Sequence, residues 1–164
     1  RQPSLEKMLI EPASLWPEGK FIIAGPMYPD NLNLPSNIET IIHLSPQRHN
    51  EFYNTQRFTL NITRTDMKAL GYSPSVRLFE AAACGVPIIS DYWEGLDSIF
   101  EIGKDILVSN SVQNTLNILR NTEEEERKQI GENGMKRILA GHTSEKRAEE
   151  FELYVSEVLS ERVV

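Results

Sequence analysis

Cysteine is almost missing: Cys84 is alone among 164 residues, so no disulfide can form within the chain, and the expected setting is a reducing, cytoplasmic one. No apolar run approaches the roughly 20 residues that a membrane-spanning helix needs. Runs of Lys or Arg are absent too, and 17 basic against 24 acidic residues leave a net charge of −7. A nucleic-acid binder needs a basic face to displace counterions, so that class is disfavoured. No Gly-x-Gly-x-x-Gly follows the first candidate strand and no Gly-x-x-x-x-Gly-Lys occurs, which argues against dinucleotide dehydrogenases and P-loop ATPases. His43, His49 and His142 lack metal-ligand spacing and read as surface or satisfied histidines. The opening Arg1-Gln2-Pro3 has no initiator Met, charged leader or apolar segment behind it, so the chain reads as a piece of something longer.

What is present is an alternation of short apolar strands with helices. Ser4 before Leu5, Met8, Leu9 and Ile10 predicts an N-capped helix stopped near Pro12 or by Pro17. Buried strands are expected over Phe21 to Ala24 and Ile38 to Leu44, with a loop at Pro29-Asp30-Asn31 between them. A helix from Pro46 to about Thr55 places His49, Phe52 and Tyr53 at helical spacing. Phe58 to Ile62 alternates as a third strand, followed by a loop ending at Gly71. A helix over Ser73 to Cys84 stops at Gly85, and Val86 to Ser90 and Asp105 to Ser109 are further strands, with a short helix over Gly95 to Phe100 between them. Three helices close the chain. Thr122 and the four acids Glu123 to Glu126 read as a capped, solvated helix start, because a helix N-terminus favours anions. Ala148, Phe151, Tyr154, Val155, Val158 and Leu159 form an apolar stripe that predicts a packing helix. The pattern is that of a doubly wound, Rossmann-like α/β domain, with a parallel sheet covered by helices on both faces and one domain over residues 1–164.

In such sheets ligands sit outside the carboxyl ends of the strands. The loops to search are Gly25-Pro26-Met27-Tyr28-Pro29, Ser45-Pro46, Thr63 to Ser73, and Asp91-Tyr92-Trp93-Glu94-Gly95. Their Gly, Ser, Thr and aromatic content suits a phosphate-bearing ligand with a planar base. Ser73-Pro74-Ser75 opens a helix whose first amides can hold an anion, and Arg64 can add a charge-assisted contact. Glu80 is an acid among Phe79, Ala81, Ala82, Ala83 and Cys84; it either accepts from a vicinal diol such as ribose or pairs on the surface with Arg77, one turn away. Cys84 reads as a small buried hydrophobe, and Tyr92 and Trp93 either cover a ligand or pack on the adjacent helix.

The run Phe79-Glu80-Ala81-Ala82-Ala83-Cys84-Gly85-Val86-Pro87-Ile88-Ile89-Ser90-Asp91 resembles the C-terminal, donor-binding domain of GT-B glycosyltransferases of group-1 type. Gly71-Tyr72-Ser73-Pro74-Ser75 and Arg77-Leu78-Phe79-Glu80 are similar to segments of the spore-maturation-type members. The resemblance implies one half of a GT-B fold that binds a nucleotide diphosphate sugar, UDP- or GDP-linked, and transfers a hexosyl group to an acceptor hydroxyl without a metal cofactor; no Asp-x-Asp is present. It implies Glu80 for ribose, Ser73, Ser75 and the amide of Val76 for diphosphate, and the turn His43-Leu44-Ser45 for the base. Gly25 in the first loop and Arg64, as an unmatched diphosphate partner, complete the substrate-binding set. The family's second Glu, in contact with the donor sugar, falls at Tyr72, a departure from the pattern. An N-terminal acceptor domain is the implied partner, the acceptor site and any catalytic base lie mostly there, no catalytic residue is assigned in this chain, and this piece alone is expected to be inactive. The alternatives are a noncatalytic interaction domain of the same fold and a GT-B-type nucleotide-sugar epimerase.

Overall fold

A computed structural model of the chain describes residues 2–26, 28 and 32–161. The expected loop at Pro29-Asp30-Asn31, together with Met27 of the first loop, lies outside the described residues. The chain starts with helix α1 (Gln2–Leu5), which passes through a π turn (Glu6–Ile10) into α2 (Glu11–Leu15). One expectation is corrected here, since Ser4 is inside α1 rather than capping it; and of the two expected stops Pro12 is passed, the helix ending at Leu15 just before Pro17. The Glu11 amide bonds back five residues to the Glu6 carbonyl, and this wider turn carries the chain into Pro12, whose ring sits in the first turn of α2 where an N–H is dispensable. The end of α2 is then tied down by the Asn37 side-chain amide, which donates to the carbonyls of Ala13, Trp16 and Gly19 at 2.9–3.1 Å.

Strands β1 (Phe21–Ala24) and β2 (Ile38–Ile41) pair in parallel, with Phe21 opposite Ile38. β2 ends at Ile41 instead of Leu44, because its only recorded neighbour is β1 and Ile42 is already 81% exposed. A 3₁₀ turn (Pro46–Arg48) leads into α3 (His49–Asn54), and β3 (Thr59–Asn61) follows. The stretch expected as a loop up to Gly71 contains α4 (Thr65–Leu70). Met67, Lys68, Ala69 and Leu70 are good helix formers, yet none of the helix is buried, so no apolar period announces it. Helix α5 (Val76–Ala83), β4 (Ile88–Ser90), a 3₁₀ turn (Leu96–Ser98) and β5 (Leu107–Val108) come next, and α6 (Val112–Asn121), α7 (Glu124–Gly141) and α8 (Ser144–Glu161) end the chain.

Every recorded strand pair is parallel, but hydrogen bonds join β1 to β2 and β3 to β4 to β5 as two sheets rather than the single sheet expected. Adjacent residues of β4 show how the layers are filled. Ile88 belongs to a cluster with Leu78, Ala81, Trp93, Phe100 and Ile138, on the side of α5 and α7. Ile89 belongs to the other cluster, with Leu9, Ile23, Ile62 and Leu119, on the side of the N-terminal helix and α6. A strand that buries both faces is central and needs helices above and below. The doubly wound arrangement follows.

Thr122 closes α6, its hydroxyl donating to the Ile118 carbonyl, so the N-cap of α7 is Glu123 rather than Thr122. Glu124 in the first turn is held by Arg127 and Arg57, and these contacts pull its carboxyl down to about 2. The apolar stripe of α8 does not pack as expected: Phe151, Tyr154, Val155, Val158 and Leu159 are all exposed. Helical spacing encodes an amphipathic face and leaves its partner unspecified.

Helix α7 lies on the core through two glycines. A Cβ at Gly131 would stand 2.1 Å from the Gly85 carbonyl oxygen, and one at Gly134 would stand 2.9 Å from that of Asp105. Both obstacles are backbone. Gly131→Ala is expected to destabilise the fold by about 1–3 kcal/mol, read as a lower midpoint in urea unfolding, whereas Gly141→Ala, where nothing lies within 4 Å, is expected to leave the midpoint unchanged or raise it.

Candidate functional site

The loops at the carboxyl ends of the strands are drawn together by short-range polar contacts. Asp91, buried just after β4, accepts from the Thr63 amide at 3.0 Å, the Thr63 hydroxyl at 2.7 Å and the Lys68 ammonium at 3.4 Å. It thereby ties the β3 loop and α4 to the end of β4. Tyr72 donates its amide to the Glu94 carbonyl at 2.6 Å and has a left-handed backbone, φ +46°. Its ring lies so close to Gly95 that a Cβ there would meet Tyr72 Cδ1 at 2.6 Å. The β3 and β4 loops interlock at this point.

Helix α5 starts from Ser75, whose extended backbone makes it the N-cap residue. The first amides of a helix lack intrahelical acceptors, and the dipole adds a positive end, so the start of α5 can hold an anion. Glu80, four residues into the helix from Val76, is half-exposed with a side-chain exposure of 42%. Tyr53 of α3 donates its hydroxyl to Glu80 Oε2 across 3.4 Å, and His49 Nδ1 stands 3.7 Å from the same oxygen. Among the described residues no ion pair joins Glu80 to Arg77. The surface pairing left open by helical spacing is thus replaced by partners on another helix.

A cavity of about 1150 Å³ connects these groups. Its lining takes in residues of β1 and β3 and, of the candidate binding residues, Glu80, Ser75, Val76, His43, Leu44 and Gly25 but not Ser45. Gly25 has φ +126°, a backbone that favours glycine, and its amide donates to the Ile41 carbonyl at 2.8 Å. Ser73, Tyr72 and Arg64 are not among the lining residues: Ser73 is half-buried, Tyr72 is 68% exposed, and Arg64 is exposed at the N-cap of α4. Sequence reasoning missed Tyr53 and His49 as site residues. The available signal was their i, i+4 spacing, which stacks a hydroxyl and an imidazole on one face of α3, with ring centroids 6.3 Å apart. The other sequence alternatives resolve simply. Trp93 is buried in the core beside α5, whereas Tyr92 is exposed. Cys84 is half-buried, and burial followed by the nearby Glu80 charge pushes its thiol up, away from nucleophilic character.

The glycosyl transferase-like family model matches residues 1–152. The chain belongs to this family. No curated protein matches the chain by sequence. Among solved structures, the family member described here is similar to sucrose-phosphate synthase from Thermosynechococcus elongatus, with a TM-score of 0.75 and 15% identity over 98% of this chain and 43% of that one. It is also similar to Anabaena HepE in complex with UDP-glucose, with a TM-score of 0.64 and 14% identity over 80% and 40% of the two chains. A third is the pneumococcal O-GlcNAc transferase GtfA with UDP and GlcNAc, with a TM-score of 0.65 and 18% identity over 97% and 33%. The fold is thus that of one half of a GT-B glycosyltransferase, and the chain spans less than half the length of these solved proteins. Among the described residues no helix is long and apolar enough to cross a membrane.

Burial, reinforced by the Glu80 charge, raises the Tyr53 phenol above its usual 10, so the group stays a hydrogen-bond donor through neutral and mildly alkaline pH. With the folded value above the unfolded one, its contribution to stability is complete below about pH 10 and is lost as pH rises through the folded value. Ultraviolet titration of wild type minus Tyr53→Phe is expected to isolate a phenol that ionises later than free tyrosine.

Proposed function

We propose that this chain is the donor-nucleotide half of a glycosyltransferase, the C-terminal one, which holds a nucleotide diphosphate sugar while a hexosyl group passes to an acceptor hydroxyl. The observation that carries the proposal is the convergence of Glu80, the Ser75–Val76 helix start and the His43–Leu44 turn on one cavity, although they come from separate loops and helices. Each suits one part of the ligand. The Glu80 carboxylate accepts from the ribose hydroxyls, the start of α5 with Ser75 and Val76 takes the diphosphate, and the turn after β2 faces the base. Ser73 and Arg64, outside the cavity lining, act on the diphosphate from its outer side.

Transfer requires that negative charge on the departing diphosphate be stabilised as the glycosidic bond breaks. Preorganised amides and a helix dipole serve that purpose without reorganisation, and we assign it to α5 rather than to a divalent cation. The acceptor and the remaining catalytic groups belong on a second, N-terminal domain, so the chain alone would bind donor without turning it over. UDP-glucose bound to HepE, and UDP with GlcNAc bound to GtfA, are consistent with this chemistry and favour uridine as the base to try first.

Calorimetry with uridine, guanosine and adenosine diphosphates tests the reading. At least one is expected to bind, and Glu80→Ala to weaken it about ten- to a hundredfold, the loss of hydrogen bonds to a charged acceptor. Failure of all three to bind, or unchanged affinity in Glu80→Ala, rejects the assignment. Tyr72 motivates a second reading, a domain that keeps the fold and the nucleotide but has lost transfer. Sugar transfer or donor hydrolysis by the full-length protein decides between them, and activity there excludes the second.

A further inference from the structure

Glu80 is not held by its own helix. Its Oε2 receives the Tyr53 hydroxyl at 3.4 Å, and Tyr53 is 7% exposed, so the donor is fixed by core packing against Phe52 and the α5 cluster. His49, one turn earlier on α3, reaches in two directions. Its Nε2 is 3.3 Å from the Leu44 carbonyl, which can only accept, so Nε2 carries a proton. Its Nδ1 is 3.7 Å from Glu80 Oε2. The imidazole therefore stands between the turn after β2 and the acid on α5, and it attracts that acid only as the imidazolium, because with Nε2 protonated a neutral ring presents a bare lone pair at Nδ1. It spans the two places that, under the function proposed above, take the base and the ribose. Both contacts fall on Oε2, and among the described residues no hydrogen bond is recorded at Oε1.

We propose that Tyr53 and His49 are positioning residues that fix the Glu80 carboxylate against the His43–Leu44 turn, and that through it they set the preference for ribose over 2′-deoxyribose in the bound nucleotide. The proposal rests on Glu80 being the ribose ligand. Given that role, the physical argument is one of freedom. A half-exposed glutamate on a helix samples several rotamers, and the Tyr53 hydroxyl, joined by His49 when that ring carries both protons, narrows them before the ligand arrives. Discrimination of one hydroxyl depends on that preorganisation, because a mobile carboxylate can turn to water when the hydroxyl is absent. Neither residue touches the ligand by this account, so phosphate and base recognition stay with the other residues.

The test is calorimetric binding of uridine diphosphate and 2′-deoxyuridine diphosphate, with the guanosine pair in parallel, to the full chain as wild type, Tyr53→Phe, His49→Gln and Glu80→Gln. Wild type is expected to favour the ribonucleotide about tenfold or more, and Glu80→Gln to remove most of that ratio. Tyr53→Phe, which deletes one oxygen and keeps the ring, is expected to lower the ratio about three- to tenfold, and His49→Gln to lower it by a smaller factor. The measured quantity is the ratio, which a merely structural defect would not move because it weakens both nucleotides alike. If Glu80→Gln lowers the ratio while Tyr53→Phe and His49→Gln keep the wild-type value, the positioning role is overturned and the ribose assignment stands; a ratio preserved in only one variant removes that residue from the proposal. If wild type binds neither pair, or Glu80→Gln behaves as wild type, the ribose assignment itself falls and takes this inference with it.

Discussion

The seat of α7 on the turn between α5 and β4 is the constraint from which much of the rest follows. Gly131 lets the helix axis approach until a methyl group would overlap the Gly85 carbonyl, and Gly134 repeats the approach at Asp105. Gly85 itself has φ +71°, which ends α5 and turns the chain into β4 within a few residues. Asp105 is buried and accepts from the Glu101 amide and from Arg137 of α7, so the second contact is locked by charge as well as by fit. With its C-terminal end clamped between α7 and the central strand, α5 has little freedom to rotate or slide. Its N-terminus and Glu80 are placed by packing at the other end.

That rigidity matters because the opposite wall of the cavity is made differently. β1 and β3 contribute Phe21, Ile23, Leu60 and the neighbouring Ile62 to one apolar cluster without recorded strand hydrogen bonds between them. The site thus pairs a clamped helix with a seam, and the polar contacts across loops supply the remaining order. Asp91 joins three groups from the β3 side, and its buried charge is paid for by the Lys68 ammonium and two hydrogen bonds. On each side a carboxylate of one element accepts from a hydroxyl of another, Asp91 from Thr63 and Glu80 from Tyr53.

How much of this was legible follows from what sequence period can carry. The strand Phe21 to Ala24 is a short apolar run next to Gly25, and it is found over the same residues. The stop of the Glu80 helix at Gly85 was equally readable, since a C-terminal glycine is a local signal, but the helix starts at Val76 behind its N-cap Ser75 and not at the expected Ser73. Helix α4 left no trace because none of its residues is buried, and the end of β2 was overrun because Ile42 is apolar but exposed. The α8 stripe shows the reverse case, a clear period whose partner no local pattern names. Among the candidate site residues, Glu80 and the helix start carry local signals, while the side chains in contact with Glu80 do not. Tyr53 and Glu80 are 27 positions apart, and only the packing of α3 beside α5 makes them neighbours.

Tyr72 sits on a backbone path that its surroundings, not its side chain, define. A left-handed backbone at a non-glycine residue costs roughly 1–2 kcal/mol, so it persists only where the surroundings demand it. Here the demand comes from backbone: the Tyr72 amide is bonded to the Glu94 carbonyl, and Gly71 beside it has φ +66°. The side chain at position 72 is therefore carried on a path set by the two loops, and replacing an acid by a tyrosine leaves that path intact. Gly95 provides the room its ring needs, since any Cβ would overlap it. None of these contacts reaches α5, Glu80 or the turn after β2. A change at Tyr72 thus acts on the rim formed by the β3 and β4 loops, apart from the cavity that α5, clamped from behind by α7, lines with Ser75, Val76 and Glu80.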